Sequence, residues 1–230
     1  MSADRLRGLV LQLQAEAPSG LLEDWARRRD IALDVAPIEA GAPDPSEHAF
    51  AVVLGSGKSL AEDSPDWARD VLDWVRAADA AQVPVLGICF GAQALAAAFG
   101  GWVHRLPAPE IGWVEVVSND VDRVPAGPWL AWHEDGLRPP PLAYELAANR
   151  FGSQAFCLRR HLAVQFHPEA TADIVARWAA MPHARLEETG QTAEGLAAEC
   201  QEQAEGAAAR AERLFDGFAA RAGITPPVAT

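Results

Sequence analysis

The sequence predicts an α/β fold: a mostly parallel central sheet, an antiparallel strand extension and a C-terminal helical extension. Three observations lead to this prediction. Short apolar runs alternate with amphipathic stretches in the first part of the chain, which is the rhythm of βαβ units. Between residues 102 and 166, short apolar runs are separated by Pro- and Gly-rich turns, which predicts antiparallel strands. The last segment has helical periodicity over many turns.

The first part of the chain contains the predicted parallel strands and the helices between them. Apolar runs predict strands at residues 8–13, 31–36, 49–54 and 83–88. Helical spacing predicts helices at residues 19–29, from Ser64-Pro65 onward, and at 90–99. We expect Ser64 to cap the second helix and Pro65 to occupy its first turn.

The second part contains predicted strands at residues 112–117, 144–148, 155–158 and 162–166, then a helix at 171–180. A long helix is predicted over about 191–221, where one apolar stripe recurs every three or four residues: Leu196, Cys200, Ala204, Ala207, Ala211, Leu214 and Phe218. We interpret this stripe as a face packed on the domain surface; the alternative is a docking or homodimer face. We predict a domain over residues 1–182 and a helical extension over 183–230 packed on it.

The composition excludes several classes of protein. A net charge of −13 and a pI near 4.8 argue against binding to nucleic acid or anionic lipid, both of which need clustered basic residues. No apolar run is long enough to span a bilayer, and the N-terminus lacks a signal-peptide pattern. The three cysteines have no metal-ligand spacing and indicate reduced thiols in a cytoplasmic protein. We therefore expect no nucleic acid, no membrane and no metal.

Residues 83–93 have the pattern of a nucleophile elbow, G-x-nucleophile-x-G, with Cys89 as the nucleophile. A tight strand-to-helix turn brings the residues two before and two after the nucleophile together, which explains Gly87 and Gly91. The turn also places Cys89 at a helix N-terminus, where unpaired N–H groups and the dipole favour a thiolate. The Phe90 N–H is expected to point at a substrate oxyanion. The alternative is an ordinary buried cysteine after a buried strand.

A thiolate nucleophile needs a base, and His167 with Glu169 is the candidate pair. Their spacing of two residues puts both on one face of an extended backbone, and Pro168 between them fixes φ. Glu169 can therefore hold the imidazole while the other ring nitrogen faces Cys89, as in a nucleophile–base–orienter triad. We expect the other five histidines to lack this partnered setting.

These two motifs, the segment Gly87 to Gln93 and the later His167-Pro168-Glu169, resemble the class I (triad) glutamine amidotransferase family over most of residues 6–180. The chain is most similar to the stand-alone type 1 members, which carry a Glu-Ile-Gly-Trp segment, here 110–113, and a C-terminal helical extension. The resemblance implies a flavodoxin-like three-layer sandwich that needs no cofactor. It also implies hydrolysis of the glutamine side-chain amide through a thioester on Cys89, with His167 as base and acid and Glu169 as its orienter.

The resemblance further implies a set of substrate contacts. Gly57, in the glycine-rich loop 55–59, is the expected second oxyanion donor, with Ser56 as the alternative donor and substrate contact. Gln93 occupies the position that contacts bound glutamine. His133 and Asp135 lie near the segment that contacts the amino acid end of the substrate; the alternative is that they are solvent-facing turn residues.

Several rival functions remain at this point. Gly57-Lys58-Ser59 imitates the end of a P-loop, but the required earlier glycine is Val52 inside a strand, so a phosphate cradle cannot form there. A γ-glutamyl hydrolase or peptidase acting without a partner is a second possibility, and a non-catalytic binding module on the same fold is a third. The chain has no ATP-using synthetase region, so we expect ammonia to pass to a separate synthetase or acceptor.

Overall fold

The computed structural model describes residues 6–224. The strands, in chain order, are β1 (Arg7–Gln12), β2 (Ala32–Pro37), β3 (Phe50–Val53), β4 (Val85–Ile88), β5 (Trp102–Ser118), β6 (Gly127–Arg138), β7 (Tyr144–Asn149), β8 (Gly152–Leu158) and β9 (His161–Val164). The helices are α1 (Leu21–Arg28), α2 (Ala68–Ala80), α3 (Phe90–Ala98), α4 (Ala172–Ala179) and α5 (Ala193–Ala222). No helix in this range is long and apolar enough to cross a membrane.

Within the described range, the strands form one nine-stranded sheet in the order β2-β1-β3-β4-β9-β8-β7-β5-β6. The pairs from β2 to β9 are parallel, and the pairs from β9 to β6 are antiparallel. The predicted fold class, a mostly parallel central sheet with an antiparallel extension, is confirmed. The carboxyl ends of the central strands β3, β4 and β9 meet at one edge of the sheet, where sites in such folds collect.

Helices cover both faces of the parallel sheet, which makes the three layers. Alternate residues of each strand point to opposite faces. On one face, Val10 and Val52 pack with α1 and α5. On the other, Leu11 and Val53 pack with α2 and α3. These central strands are buried on both sides, which explains why they appear in the sequence as continuous apolar runs.

The structure differs from the sequence prediction at two elements. Helix α2 begins at Ala68 with Trp67 as its N-cap residue, so Ser64 does not cap it. Strand β6 was not predicted; it is 12 residues long and pairs along most of its length with the 17-residue β5. The polar residues 133–135 interrupt the apolar pattern of β6, which is why the sequence indicated a turn there.

The predicted long helix is present as α5, which packs on the domain. Phe215 and Phe218 lie in the same core as Trp25 and Phe50, and the Trp25 indole N–H donates to Asp216 Oδ1 at 3.0 Å. Of the predicted stripe, six residues are buried and Ala204 is exposed. The stripe therefore packs against other residues of the same chain. The division at residues 182/183 stays a prediction.

Candidate active site

Cys89 lies in a strained turn between β4 and α3. Its backbone has φ 52° and ψ −106°, a conformation that costs a non-glycine residue of order 1–3 kcal/mol. A methyl group on Gly87 would lie 2.4 Å from the Gly91 carbonyl oxygen, and one on Gly91 would lie 2.1 Å from the Val53 carbonyl oxygen. Both glycines are therefore required by the close approach of the backbone on the two sides of the elbow.

Phe90 and Gly55 present backbone next to the Cys89 side chain. Phe90 is the first residue of α3, so its N–H has no acceptor inside the helix. A methyl group on Gly55 would lie 3.5 Å from Cys89 Cβ and 3.0 Å from His167 Cε1. The end of β3 thus passes directly beside both side chains, and a side chain at position 55 would crowd the His167 ring.

His167 and Glu169 form a buried pair just after β9. The Nδ1 atom of His167 lies 2.7 Å from Glu169 Oε1, and both side chains are almost fully buried. The His167 backbone N–H donates to the Leu130 carbonyl on β6, and the edge of its ring contacts Trp178 on α4. The ring is therefore held from three sides, while its Nε2 has no hydrogen-bond partner among the described residues.

The electrostatic setting of His167 favours the imidazolium. Burial by itself opposes protonation, but the negative charges of Glu169 and of the Cys89 sulfur, together with the hydrogen bond to Glu169, outweigh it, so the pKa of His167 is raised well above its ordinary value of 6.5. Cys89 and Glu169 thus both favour the charged form of His167. That the three residues act together in catalysis stays a prediction.

The glycine-rich loop after β3 is tied down by two side chains from other elements. The Gly57 N–H donates to Gln14 Oε1 at 2.8 Å, and Ser59 Oγ donates to Asp135 Oδ2 at 2.6 Å. Ser56 Oγ accepts from the Lys58 N–H at 3.2 Å. Because its N–H is bonded to Gln14, Gly57 can serve as an oxyanion donor only after Gln14 turns away. Its role, and that of Ser56, stays a prediction.

His133 and Asp135 are buried on β6 and are not turn residues. His133 Nδ1 contacts the Asp135 carbonyl oxygen at 3.0 Å, and its Nε2 lies 2.8 Å from Glu110 Oε2 on β5. The two atoms are close, but their geometry is not that of an aligned hydrogen bond. The Asp135 carboxylate accepts from Ser59 and pairs with Arg105 at 3.4 Å. It therefore anchors the glycine-rich loop, and whether it also contacts substrate stays a prediction.

Gln93 and Gln165 form a buried amide pair next to the nucleophile. The Gln93 Nε2 donates to Gln165 Oε1 at 3.3 Å, and Gln165 Nε2 donates to Cys89 Sγ at 3.7 Å. Sequence analysis missed Gln165. The signal was available, because Gln165 precedes His167 by two residues and an extended backbone places such residues on one face.

Three further histidines contradict the expectation that only His167 has an acidic partner. Their carboxylates come from distant parts of the chain: His48 with Asp34 (2.9 Å), His133 with Glu110 (2.8 Å) and His161 with Asp79 (3.1 Å). Of these three, only His133 lines the cleft that contains Cys89. Burial lowers the pKa of His161 despite its partner, as expected for a structural histidine at the opposite end of the sheet.

Seven of the nine predicted site residues line one cleft, and Phe90 is not among them. The volume of the cleft is about 120 Å³, whereas a single water needs roughly 10–15 Å³ on this measure. The predicted site residues in its wall are Ser56, Gly57, Cys89, Gln93, His133, Asp135 and His167. Glu169 lies behind His167 and does not line the cleft. The cleft can thus hold a small molecule against the sulfur and the imidazole.

Charged side chains ring the mouth of this cleft. Arg105 pairs with Glu134 and Asp135, and Arg185 also pairs with Glu134. Lys58, the only lysine in the chain, lines the cleft and has no ion pair with any residue in the range 6–224. The acids in the wall are thus neutralised by arginines, which leaves Lys58 as a positive charge available to a ligand.

A cysteine at a strand–helix elbow, beside a buried histidine held by a carboxylate, is the arrangement of a cysteine-nucleophile hydrolase. The family model described as Glutamine amidotransferase class-I matches residues 21–174. The chain belongs to this family, whose members are cysteine-nucleophile amidohydrolases. The resemblance stated from the two sequence motifs is therefore confirmed.

The names of individual relatives are consistent with membership of this family. The glutamine amidotransferase-like protein chyE of Penicillium rubens is 33% identical over 154 residues, which cover 61% of this chain and 63% of that protein. A GMP synthase (glutamine-hydrolyzing) subunit of Ignicoccus hospitalis is 32% identical over 137 residues, covering 55% of this chain and 71% of the relative. A glutamine amidotransferase structure from Thermotoga maritima has the same fold, with a TM-score of 0.84, 21% identity, and coverage of 94% and 99%.

Proposed function

We propose that this protein hydrolyses the side-chain amide of glutamine through a thioester on Cys89. The observation that carries the proposal is the convergence of Cys89, His167 and Glu169, residues up to 80 positions apart, at one end of the sheet and beside one cleft. The cleft holds a nucleophile and a proton carrier, and the Phe90 N–H beside Cys89 has no acceptor within α3; these are parts that acyl transfer requires.

The proposed reaction has two steps. The Cys89 thiolate attacks the amide carbon, the Phe90 N–H donates to the developing oxyanion, and the His167 imidazolium protonates the departing nitrogen, which leaves as ammonia. A water molecule then attacks the thioester, His167 accepts its proton, and the C–S bond breaks to return the sulfur to Cys89. Glutamine and water become glutamate and ammonia, and Glu169 keeps the imidazole oriented through both steps.

We further propose that the ammonia passes to a separate synthetase or acceptor protein. One relative bears the name of a GMP synthase subunit, which supports a division of labour between chains. The surface of residues 6–224 contains exposed large apolar side chains, among them Leu142 and Tyr144. A homodimer, the other partner considered, stays a prediction that the mass of the native protein in solution would test.

A cytoplasmic location is part of the same proposal. Cys89, Cys157 and Cys200 are all free and buried, which suits a compartment that keeps thiols reduced. A reduced Cys89 is also what the proposed chemistry needs, because the thiolate is the nucleophile.

The test is ammonia release from L-glutamine by the purified chain, alone and with a co-purified partner. We expect glutamate and ammonia in equal amounts from the wild type and none from Cys89→Ala. Retained turnover in Cys89→Ala would contradict the proposal. Cleavage of γ-glutamyl amines without release of ammonia from free glutamine would instead identify a γ-glutamyl hydrolase or peptidase. No label at Cys89 from iodoacetamide at neutral pH would favour a non-catalytic module.

A further inference from the structure

A chain of buried amide groups leads from the backbone of β6 to the sulfur of Cys89. Gln93 Nε2 donates both to the Asp135 carbonyl oxygen and to Gln165 Oε1, each at 3.3 Å. Gln165 Nε2 then donates to Cys89 Sγ at 3.7 Å. The Gln93 and Gln165 residues are only 3% and 1% exposed, so water does not compete for these contacts.

The direction of these hydrogen bonds is fixed by the Asp135 carbonyl. A carbonyl oxygen can only accept, so Gln93 must turn its NH₂ group toward Asp135. The second N–H of that group reaches Gln165 Oε1, which obliges Gln165 to turn its own NH₂ group toward the sulfur. If the Gln165 amide were flipped, two NH₂ groups would face each other and an oxygen would face the sulfur.

The Asp135 carbonyl is itself held from the far side. His133 Nδ1 contacts the same oxygen at 3.0 Å, and Glu110 lies 2.8 Å from His133 Nε2 on the strand directly opposite. Glu110 also accepts from Asn149 at 2.6 Å. The start of the amide chain is thus built into the β5–β6 pair, and the orientation of Gln165 does not depend on solvent.

We propose that Gln165 is a further catalytic residue, which donates an N–H to the anionic sulfur of Cys89. The inference deepens the proposed function and rests on Cys89 as its nucleophile. The neutral thiol points its S–H toward the Trp132 carbonyl at 3.8 Å, a contact that the anion loses. An N–H donor has the opposite effect, because it stabilises the charged form. Gln165 and the His167 imidazolium therefore favour the thiolate from different sides.

The same N–H acts again when the thioester breaks down. The electron pair of the C–S bond then returns to sulfur, and a donor already directed at that atom stabilises the leaving thiolate without reorganisation. Gln165 thus acts at both steps in which the sulfur carries negative charge.

The experiment is the pH dependence of Cys89 alkylation by iodoacetamide, measured without substrate from about pH 5 to about pH 10. Mass spectrometry separates Cys89 from Cys157 and Cys200. The charged or titratable groups already present around the sulfur are retained in every Gln165 variant: His167 with Glu169 behind it, and Lys58, Arg105, His133, Glu134, Asp135 and His183 along the cleft.

Two variants and one control separate the effect of the Gln165 N–H from the effect of side-chain shape. Gln165→Met keeps the size and removes the donor, and Gln165→Glu keeps the acceptor for Gln93 but brings a carboxyl group to the sulfur. Ser153→Ala removes a buried hydroxyl that has no hydrogen-bond partner among the described residues, and it controls for loss of a buried polar group. Thermal unfolding shows which variants remain folded.

We expect the rate at pH 7 to fall about tenfold or more in Gln165→Met, and further in Gln165→Glu, with the alkylation midpoint moved to higher pH. Ser153→Ala should keep the wild-type profile. A wild-type profile in either folded Gln165 variant would overturn the role of Gln165 and leave the proposed function standing. If Cys89 of the wild type is not alkylated at any pH, both proposals fail.

Discussion

His167 Nδ1 and Glu169 Oε1 lie 2.7 Å apart, both side chains are almost fully buried, and one proline separates the two residues. The charge of Glu169 is the largest of the influences that raise the pKa of His167, and burial opposes it. The protonation of the imidazole is therefore set by a residue that cannot reach the substrate cleft itself. A variant that keeps the shape of Glu169 and loses its charge should therefore have a measurable effect on His167.

Glu169→Gln should lower the pKa of His167, because burial still disfavours the imidazolium once the opposing charge is gone. Ring-proton NMR should record a titration midpoint that moves down from its raised wild-type position. Glutaminase activity should fall by about 100-fold, since the imidazolium that protonates ammonia is depleted. Glu187→Gln, an exposed change, is the control. An unchanged midpoint in Glu169→Gln would contradict the assignment.

The same raised pKa predicts how stability varies with pH. A group whose pKa is higher in the folded state stabilises the fold fully below its unfolded pKa, near 6.5 for His167, and loses this contribution as the pH rises through the raised value. The part of the unfolding free energy that depends on His167 should therefore decline in alkaline solution. Urea titrations of the wild type and of His167→Gln across this range would measure it, and a parallel pair of curves would count against it.

Gly91→Ala should destabilise the elbow. The added methyl would lie 2.1 Å from the Val53 carbonyl oxygen, which belongs to a buried strand that cannot move aside. We expect a loss of about 1–3 kcal/mol or more in the free energy of unfolding, together with loss of activity.

Gly206→Ala is the matched control for this change. Gly206 lies in α5, where a methyl would meet only the flexible end of Arg210 at 3.0 Å. Alanine is the better helix former, so the expected change is a gain of about 0.5–1 kcal/mol. Urea unfolding gives both values. Equal effects of the two substitutions would show that the crowding at Gly91 does not lower the free energy of unfolding.

The sequence carried enough information for the elbow and the parallel sheet because both depend on local patterns. A continuous apolar run, a glycine on each side of Cys89 and a histidine two residues before a glutamate are all visible within a few positions. Such signals need no knowledge of distant partners, so strand order could remain unknown while the ends of β4 and β9 were still located.

The burial of His133 and Asp135 could not be predicted in this way. Polar residues inside a strand normally indicate a turn, and they are tolerated here because Glu110 and Arg105 on β5 lie opposite them and compensate their polarity. The register between β5 and β6 is a long-range property. The predicted start of α2 was also wrong. Ser64-Pro65 matches a capping pattern, but the helix begins only at Ala68.

Lys58→Met should weaken binding of a substrate that carries a carboxylate. Lys58 is exposed and lines the cleft without an ion pair in the described part of the chain, so its charge is available to the α-carboxylate of glutamine. We expect KM to rise by up to about fivefold with kcat nearly unchanged, the range of a solvent-exposed charge pair. Glutamine α-amide, which lacks that carboxylate, is the comparison substrate. Equal rises in KM for both substrates would exclude a carboxylate contact.

Phe218→Ala should reveal how far the domain depends on α5. Phe218 is 2% exposed and packs edge-to-face on Phe50 at 6.1 Å between ring centroids, inside the core shared with the parallel sheet. Truncation of such a ring costs about 3–5 kcal/mol, whereas Ala204→Ser on the exposed side of the same helix should change little. Urea unfolding should show one transition that moves as a whole in Phe218→Ala. A separate early transition, with activity intact, would mean that α5 unfolds independently and that residues 1–182 form a domain of their own.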